Sequence, residues 1–323
     1  MQKRQALAAI LCAAALPRLA HAADWPKAQP IRIVVPAAAG SSPDQTSRKL
    51  SNFLQGRIGQ SFVIENRPGA AGTIAMQAVA TAKADGYTLG FGNIVTMAIN
   101  RSLIAKLPYN PDKDLVPIAV LSQVPNVLVV RKALPINSLR DLIIYAKSHP
   151  NKLTMASGGN GTTSHLSGEI LKDKAEVAFL HVPYRGAPQA VSDLVGGQVD
   201  FMFDNITSMA GPIKSGQVRP LAISSSKRSP LLPDVPTLQE SGLAGFEVMA
   251  WGGLVAPAGT PQPIVERLNR EINAWLQSPA TKAEFAELGQ IALGGSPEFF
   301  RGHIQSETRK WAEVIRKGGV KLD

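Results

Sequence analysis

Ser157-Gly-Gly-Asn-Gly-Thr-Thr-Ser-His-Leu-Ser-Gly-Glu169, SGGNGTTSHLSGE, follows the apolar run Lys152-Leu-Thr-Met-Ala156 and leads into Leu166, Ile170 and Leu171, which share one helical face. The pattern reads as a strand over Leu153 to Ala156, a loop of small residues, and a helix. A helix start leaves backbone N–H groups unpaired and carries the positive end of the macrodipole. Glycine lets the backbone approach a ligand closely, and serine and threonine add hydroxyl donors. Such a loop is a seat for an anion.

The same grammar occurs near the start of the chain. Ile31-Arg-Ile-Val-Val35 is a strand candidate, Pro36-Ala-Ala-Ala-Gly-Ser-Ser-Pro-Asp44 a small-residue loop, and Leu50, Phe53, Leu54 and Ile58 recur at helical spacing. Ser42 suits an N-cap and Pro43 a first helical position. Neither loop carries the Gly-Lys-Ser/Thr of a nucleotide P-loop, and Gly158-Gly-Asn-Gly161 lacks the dinucleotide spacing, so a small carboxylate fits better than a polyphosphate.

Further strand–helix alternation follows. Val177 to Val182 reads as a strand, Ala190, Leu194 and Val195 as a helix closed by Gly196-Gly197, and Val199 to Phe203 as a buried strand running into Asp204-Asn205. Near the end, Ile264, Leu268, Ile272 and Trp275 mark one helix, and Phe300, Ile304, Trp311 and Ile315 a second that stops at Gly318. The class is α/β with mostly parallel sheets.

With 323 residues and 45% hydrophobic content, the chain is long and apolar enough to bury the cores of about two domains. Residues 1–22 read as a signal peptide, with Lys3 and Arg4, an apolar stretch from Ala6 to Leu16, and a cleavage site at Ala20-His21-Ala22. Export to the periplasm is the expectation. The lone cysteine, Cys12, lies inside that leader, so the mature chain is expected to have neither disulfide nor thiol chemistry. The formal charge of +10 is spread rather than striped, which argues against a nucleic-acid partner.

Catalysis has little support. No Gly-x-Ser-x-Gly elbow is present, and His149, His165, His181 and His303 show no metal-ligand spacing. The expectation is a protein without enzymatic activity, metal or cofactor. Asp44 complements a helix dipole or holds its loop; His165 reads as a packed or exposed histidine; Arg185 reads equally as a counter-charge or a solvated arginine. Tyr184 and Phe203 read as core, and Asn205 as a cleft residue or a turn.

The stretches Val34-Val-Pro36 with Gly40 and Asp44, Glu65-Asn-Arg-Pro-Gly-Ala-Ala-Gly72, Ala84-Asp-Gly-Tyr-Thr-Leu89, Leu107-Pro-Tyr-Asn-Pro111, Val182-Pro-Tyr-Arg-Gly186, Gly197-Gln-Val-Asp200, Pro233-Asp-Val-Pro-Thr237 and Ala256-Pro-Ala-Gly-Thr-Pro261 occur in this order. Together with Ser157 to Leu166 they give the chain a resemblance to the periplasmic solute-binding receptors of tripartite tricarboxylate transporters, the Bug-type receptors. The resemblance implies a two-lobed periplasmic binding protein fold (type II-like), with a hinge between two α/β domains: lobe I from 23–126 and 225–323, lobe II from 127–224. It implies chain crossings near Val127 to Arg131 and Leu221 to Ser226. It also implies a carboxylate held by Gly40, Ser41, Ser42 and Asp44 from one side and Gly161, Thr162 and Thr163 from the other. Asn93, Tyr184, Arg185, Gly186, Asp204 and Asn205 would line the rest. The implied partners are a small organic carboxylate and membrane transporter subunits, with a signalling protein as the alternative; the chain is expected to act as a monomer. Similar receptors usually carry an aromatic residue and more proline or glycine where this chain has Ala37-Ala38-Ala39, and Gly-Gly where it has Gly40-Ser41.

Overall fold

The computed structural model describes residues 25–318; the expected leader, with Cys12, lies outside the described residues. The first half of the chain runs β1 (Ile31–Val35), α1 (Ser42–Ile58), β2 (Phe62–Asn66), α2 (Thr73–Ala80), β3 (Thr88–Asn93), α3 (Asn100–Leu103) and β4 (Leu115–Arg131). Next come α4 (Leu139–Ser148), β5 (Thr154–Ser157), α5 (Thr163–Ala175), β6 (Leu180–Pro183), α6 (Ala187–Val195), β7 (Phe201–Asn205), α7 (Ile206–Lys214) and β8 (Val218–Ile223). The chain closes with β9 (Met249–Pro257), α8 (Gln262–Gln277), α9 (Pro279–Glu287), β10 (Ile291–Ala292) and α10 (Pro297–Gly318).

The spatial strand order is β2-β1-β3-β9-β4-β7-β5-β6, with β8 and β10 also paired to β4. β1 pairs in parallel with β2 and β3, and β5 in parallel with β6 and β7. Ile31, Ile33, Val34 and Val35 are at most 1% exposed, so β1 is covered on both faces, which is why it reads as an uninterrupted apolar run. Leu50, Leu54 and Ile58 lay one face of α1 on the same core.

β4 joins the two lobes. Its first part, from Leu115 to Pro125, pairs antiparallel with β9; from Asn126 onward it pairs antiparallel with β7 and β8. The change of partner falls at Pro125–Asn126, just ahead of Val127 to Arg131, which already lie inside the second sheet half. Both prolines of β4 fall at irregularities: Pro117 at a register shift, and Pro125 at the last pair with β9. A proline cannot donate to a ladder, so these are the places where a strand tolerates one.

The return crossing is tied to β4 by one serine. Ser224 Oγ accepts from the Asn126 amide at 2.8 Å and donates to Val248 O at 2.5 Å. The Ser224 amide donates to Asn126 O at 2.9 Å, and the Val248 amide donates to Ser224 O at 3.0 Å. Ser224 and Asn126 are both fully buried. Ser224→Ala therefore strands a buried donor and a buried carbonyl, and urea unfolding should show a loss of about 1–3 kcal/mol. An unchanged unfolding midpoint would contradict this role.

Two expected strands begin later than the apolar pattern implies. The run from Val177 is spent on a turn: α5 ends at Glu176 with φ 52°, the Val177 amide bonds back to Lys172 O, and Phe179 drops into the core. Val199 is buried but precedes β7, because Asp200 is held by Arg131 Nε at 2.9 Å and by the Thr154 amide at 2.9 Å.

Candidate functional site

A cavity of about 760 Å³ opens where the two sheet halves meet. The first loop reaches it with Ser41 and Ser42. Gly40 takes φ 81°, and its amide donates to Asp44 Oδ2 at 2.8 Å. The buried Asp44 carboxylate also accepts from Asn66 Nδ2 and Arg48 Nε, both at 3.0 Å. Burial raises its pKa, but the bonds from Arg48, Gly40 and Asn66 outweigh this and hold the group below the ordinary aspartate value. Asp44 is thus fully engaged in shaping the loop. Gly40, Asp44 and Gly161 do not line the cavity, contrary to the expectation that they meet the ligand.

The second loop is braced from behind. Ser157 Oγ lies 2.7 Å from His181 Nε2, and the Gly161 amide donates to His165 Nδ1 at 3.1 Å. The two imidazoles stack at 4.1 Å with their planes 9° apart. His165 is therefore the packed histidine of the two readings, with Nε2 3.6 Å from Glu169, which also pairs with Lys172 at 2.8 Å. Burial, with His165 adding to it, pulls His181 down to about 4, so it stays neutral at neutral pH. The bonds from His165 and Lys172 outweigh burial at Glu169 and bring it to about 2.

Helix starts converge on the cavity. Among the described residues, the first turns or caps of α1, α2, α5, α6 and α7 all contribute to its wall, through Ser42, Thr73, Thr163, Ala187 and Asn205. Of these five, α5 alone has a side-chain cap, where Thr162 Oγ1 accepts from the His165 amide at 3.3 Å. At α1 the Ser41 hydroxyl turns away and donates to Ala38 O at 2.6 Å. The amides of Ser42 and Asp44 in α1, and of Thr163 and Ser164 in α5, have no acceptor among the described residues. Each helix start carries roughly half a positive charge, and bonds from such donors to an anion contribute about 1.5–3 kcal/mol each.

Ser41, Ser42, Asn93, Thr162, Thr163, Tyr184, Arg185, Gly186, Asp204 and Asn205 all reach the wall. Asn93 also caps the turn after β3, its Oδ1 accepting from the Thr96 amide at 3.0 Å. Tyr184 is on the wall, and its hydroxyl donates to Asp193 at 2.7 Å. Arg185 and Lys106 stand exposed at the rim without an ion-pair partner among the described residues. Asp204 is 7% exposed, and burial pushes its pKa up to about 7.

Lys106, Thr46, Ser122 and Trp251 also line the cavity and were not anticipated. Trp251 is set by Glu307, whose Oε2 accepts from the indoles of Trp251 at 3.2 Å and Trp311 at 3.1 Å. No local sequence signal marks this triad, because its members lie on β9 and α10.

The lobes touch on two sides of the cavity. A Cβ built on Gly186 would lie 2.9 Å from Ala38 Cβ of the first loop. On another side, Thr46 Oγ1 donates to Gln290 Oε1 at 3.3 Å, and Gln290 Nε2 donates to Thr207 Oγ1 at 3.1 Å.

Residues 46–320 match the model of the tripartite tricarboxylate transporter family receptor, TctC. The chain belongs to this receptor family. Among relatives, the UPF0065 protein in the tcbD-tcbE intergenic region of Pseudomonas sp. strain P51 is 41% identical over 288 residues, covering 89% of this chain and 85% of the relative. BugT of Bordetella pertussis is 39% identical over 301 residues, covering 93% and 92%. Among solved structures, R. palustris Rpa4515 with adipate superposes at TM-score 0.90 and 37% identity, covering 93% of this receptor and 100% of that chain. MatC of Rhodopseudomonas palustris with bound malate superposes at 0.85 and 36%, covering 90% and 99%. The periplasmic binding protein BugD superposes at 0.87 and 36%, covering 91% and 99%. These are two-lobed solute-binding proteins, and this TctC-family receptor has the same architecture.

Proposed function

We propose that this receptor works in the periplasm, where it holds one carboxylate of a small organic acid between the first turns of α1 and α5 and delivers it to membrane transporter subunits. The observation that carries the reading is the convergence of five helix starts, four without a side-chain cap, on one cavity where Asp204, itself buried, is the only acidic residue among the described residues of the wall. The adipate and malate bound in Rpa4515 and MatC support the ligand class. Lobe I is assigned to residues 23–126 and 225–323 and lobe II to 127–224, closing on the acid about Pro125–Asn126 and Ser224–Val248. No helix among the described residues is long and apolar enough to cross a membrane, and the receptor is taken to act as a monomer that meets its transporter transiently.

A binding rather than catalytic role is supported by how the histidines are used. Of the two Ser–His contacts at catalytic distance among the described residues, Ser157 with His181 has its serine fully buried behind the loop, and Ser148 with His149 is an exposed neighbour pair; both are off the cavity wall. A nucleophile there has no approach to a ligand.

The test is a thermal-shift screen of the ligand-stripped protein against mono-, di- and aromatic carboxylates, followed by calorimetry on the hits. Thr163→Pro is the diagnostic variant. Position 163 is the first residue of α5, where proline is tolerated, and Thr162 before it is already extended at φ −69°, ψ 160°. The variant keeps the helix but removes one amide donor, so affinity should drop by about 10- to 150-fold. Unchanged affinity, or no acid that shifts the melting temperature, would overturn the proposal.

A further inference from the structure

His165 lies behind the second loop, buried and off the cavity wall. Of residues 158–164, Gly161 alone is missing from that wall. Its backbone, at φ 74°, turns the amide to His165 Nδ1 at 3.1 Å. In return the His165 amide donates to Thr162 Oγ1 at 3.3 Å, and the Thr162 hydroxyl donates to Gly159 O at 2.7 Å. Such reciprocal bonds at a helix start form a capping box, in which the third helical position usually carries Glu or Gln. Those side chains still accept a hydrogen bond at pH 5. An imidazole loses its acceptor there, because the acceptor nitrogen is the one that takes a proton.

A backbone N–H can only donate, so Gly161 fixes His165 as the neutral tautomer with its proton on Nε2. Nε2 lies 3.6 Å from Glu169 Oε1, which Lys172 Nζ meets at 2.8 Å. From β6, His181 stacks on the ring at 4.1 Å. β5 has no charged residue, and Asp204 of β7 takes bonds from Asn205 and Ser208. On α5, Asp173 is exposed and Lys174 Nζ donates to Ala244 O. On α10, which also packs on α5, Glu307 accepts from two indoles with Lys310 3.7 Å away, and His303 meets the Trp251 ring. Glu298, Arg301, Arg309, Glu313 and Arg316 of that helix are exposed. Glu169, held at about 2, is ionised and stands as the counter-ion for an imidazolium at 165.

We propose that His165 is a positioning residue and an acid sensor: its bare Nδ1 holds residues 158–164 in the shape that receives the organic acid, and a proton added there sets two donors face to face, frees the loop and weakens ligand binding. This rests on the carboxylate reading above and adds a regulation to it. The charge of an imidazolium would by itself attract an anion. That attraction acts from behind the loop and is offset by Glu169, whereas the lost anchor acts at bond distance, so the loss prevails.

Nitrogen NMR of the ligand-free receptor at pH 8 should find His165 Nδ1 without a proton, with His165→Asn used for assignment; an Nδ1–H tautomer overturns the proposal. Calorimetry with adipate, malate and any acid from the screen then compares wild type with two variants. His165→Phe keeps a ring for His181 to stack on but offers no acceptor, and should bind about 5- to 100-fold more weakly at pH 8. His165→Asn places a carboxamide oxygen near the Nδ1 position and does not titrate, so it should bind within about threefold of wild type at pH 8. From pH 8 to 5, wild type should lose at least about fivefold more affinity than His165→Asn. Protonation of the ligand, of Glu169 or of His181 acts on both proteins and drops out of the ratio. Equal losses in the two variants at pH 8, or a constant ratio between wild type and His165→Asn, overturn the inference and leave the carboxylate receptor intact. Absence of binding by any acid at any pH instead overturns the receptor reading itself.

Discussion

Gly186→Val should remove most ligand affinity while leaving the unliganded fold in place. Gly186 sits at the mouth of α6 with extended backbone, φ 166° and ψ 161°, so the backbone itself accepts a side chain. What forbids one is the opposite lobe: the added Cβ would stand 2.9 Å from Ala38 Cβ, well inside van der Waals contact. If the lobes close on the ligand as proposed, an open form relieves the clash by letting them stay apart, so the cost falls on the closed, liganded state. Overpacking of this kind costs about 1–3 kcal/mol, or about 5- to 150-fold in affinity, and the two methyl groups of valine place it at the upper end. Gly186→Ala should be milder, and Ala38→Gly in the same chain should restore much of its loss, giving a coupling energy in a double-mutant cycle. Equal losses with and without Ala38→Gly would show that the contact is not what limits closure.

Asp204→Asn should stabilise the ligand-free protein at alkaline pH. Aspartate titrates at 3.8 in the unfolded reference and Asp204 at about 7 in the fold, so between these values the folded state binds the extra proton. Stability from the neutral acid is therefore complete below about pH 3.8 and is lost as pH rises through about 7. By pH 8.5 the buried carboxylate costs on the order of 4 kcal/mol. Urea unfolding of both proteins should show the variant gaining up to about this amount by pH 8.5 and almost nothing near pH 4. Contributions from Glu169 and His181 are common to both proteins and drop out of the difference. A variant advantage that stays constant with pH would contradict the buried acid.

The two small-residue loops were legible because their signals are local. Apolar spacing defined α1 and α5, Ser42-Pro43 marked the start of α1 one residue late, since the cap position falls on Ser41, and the glycines supplied the positive φ of Gly40 and Gly161. The family stretches carried the two-lobed architecture. β4 was not legible as one 17-residue strand, because Pro117 and Pro125 would ordinarily break a strand. They are tolerated only where its ladder shifts register and changes partner.

Function assignments for individual side chains divided along the same line. Asp44 carries the same local signature whether it meets a ligand or locks a loop; Asn66 and Arg48, arriving from β2 and the next helical turn, chose the second. Lys106 and Trp251 had no local mark at all, since their place at the cavity depends on segments more than a hundred residues apart. By itself, the sequence determined most of the segments that become strands and helices, since propensity and spacing act within a few residues. Only the tertiary structure decided that five helix starts face one cavity, that Gly186 meets Ala38, and that Asp204 loses its water without gaining a cation, because burial and long-range contact are properties of the packed chain.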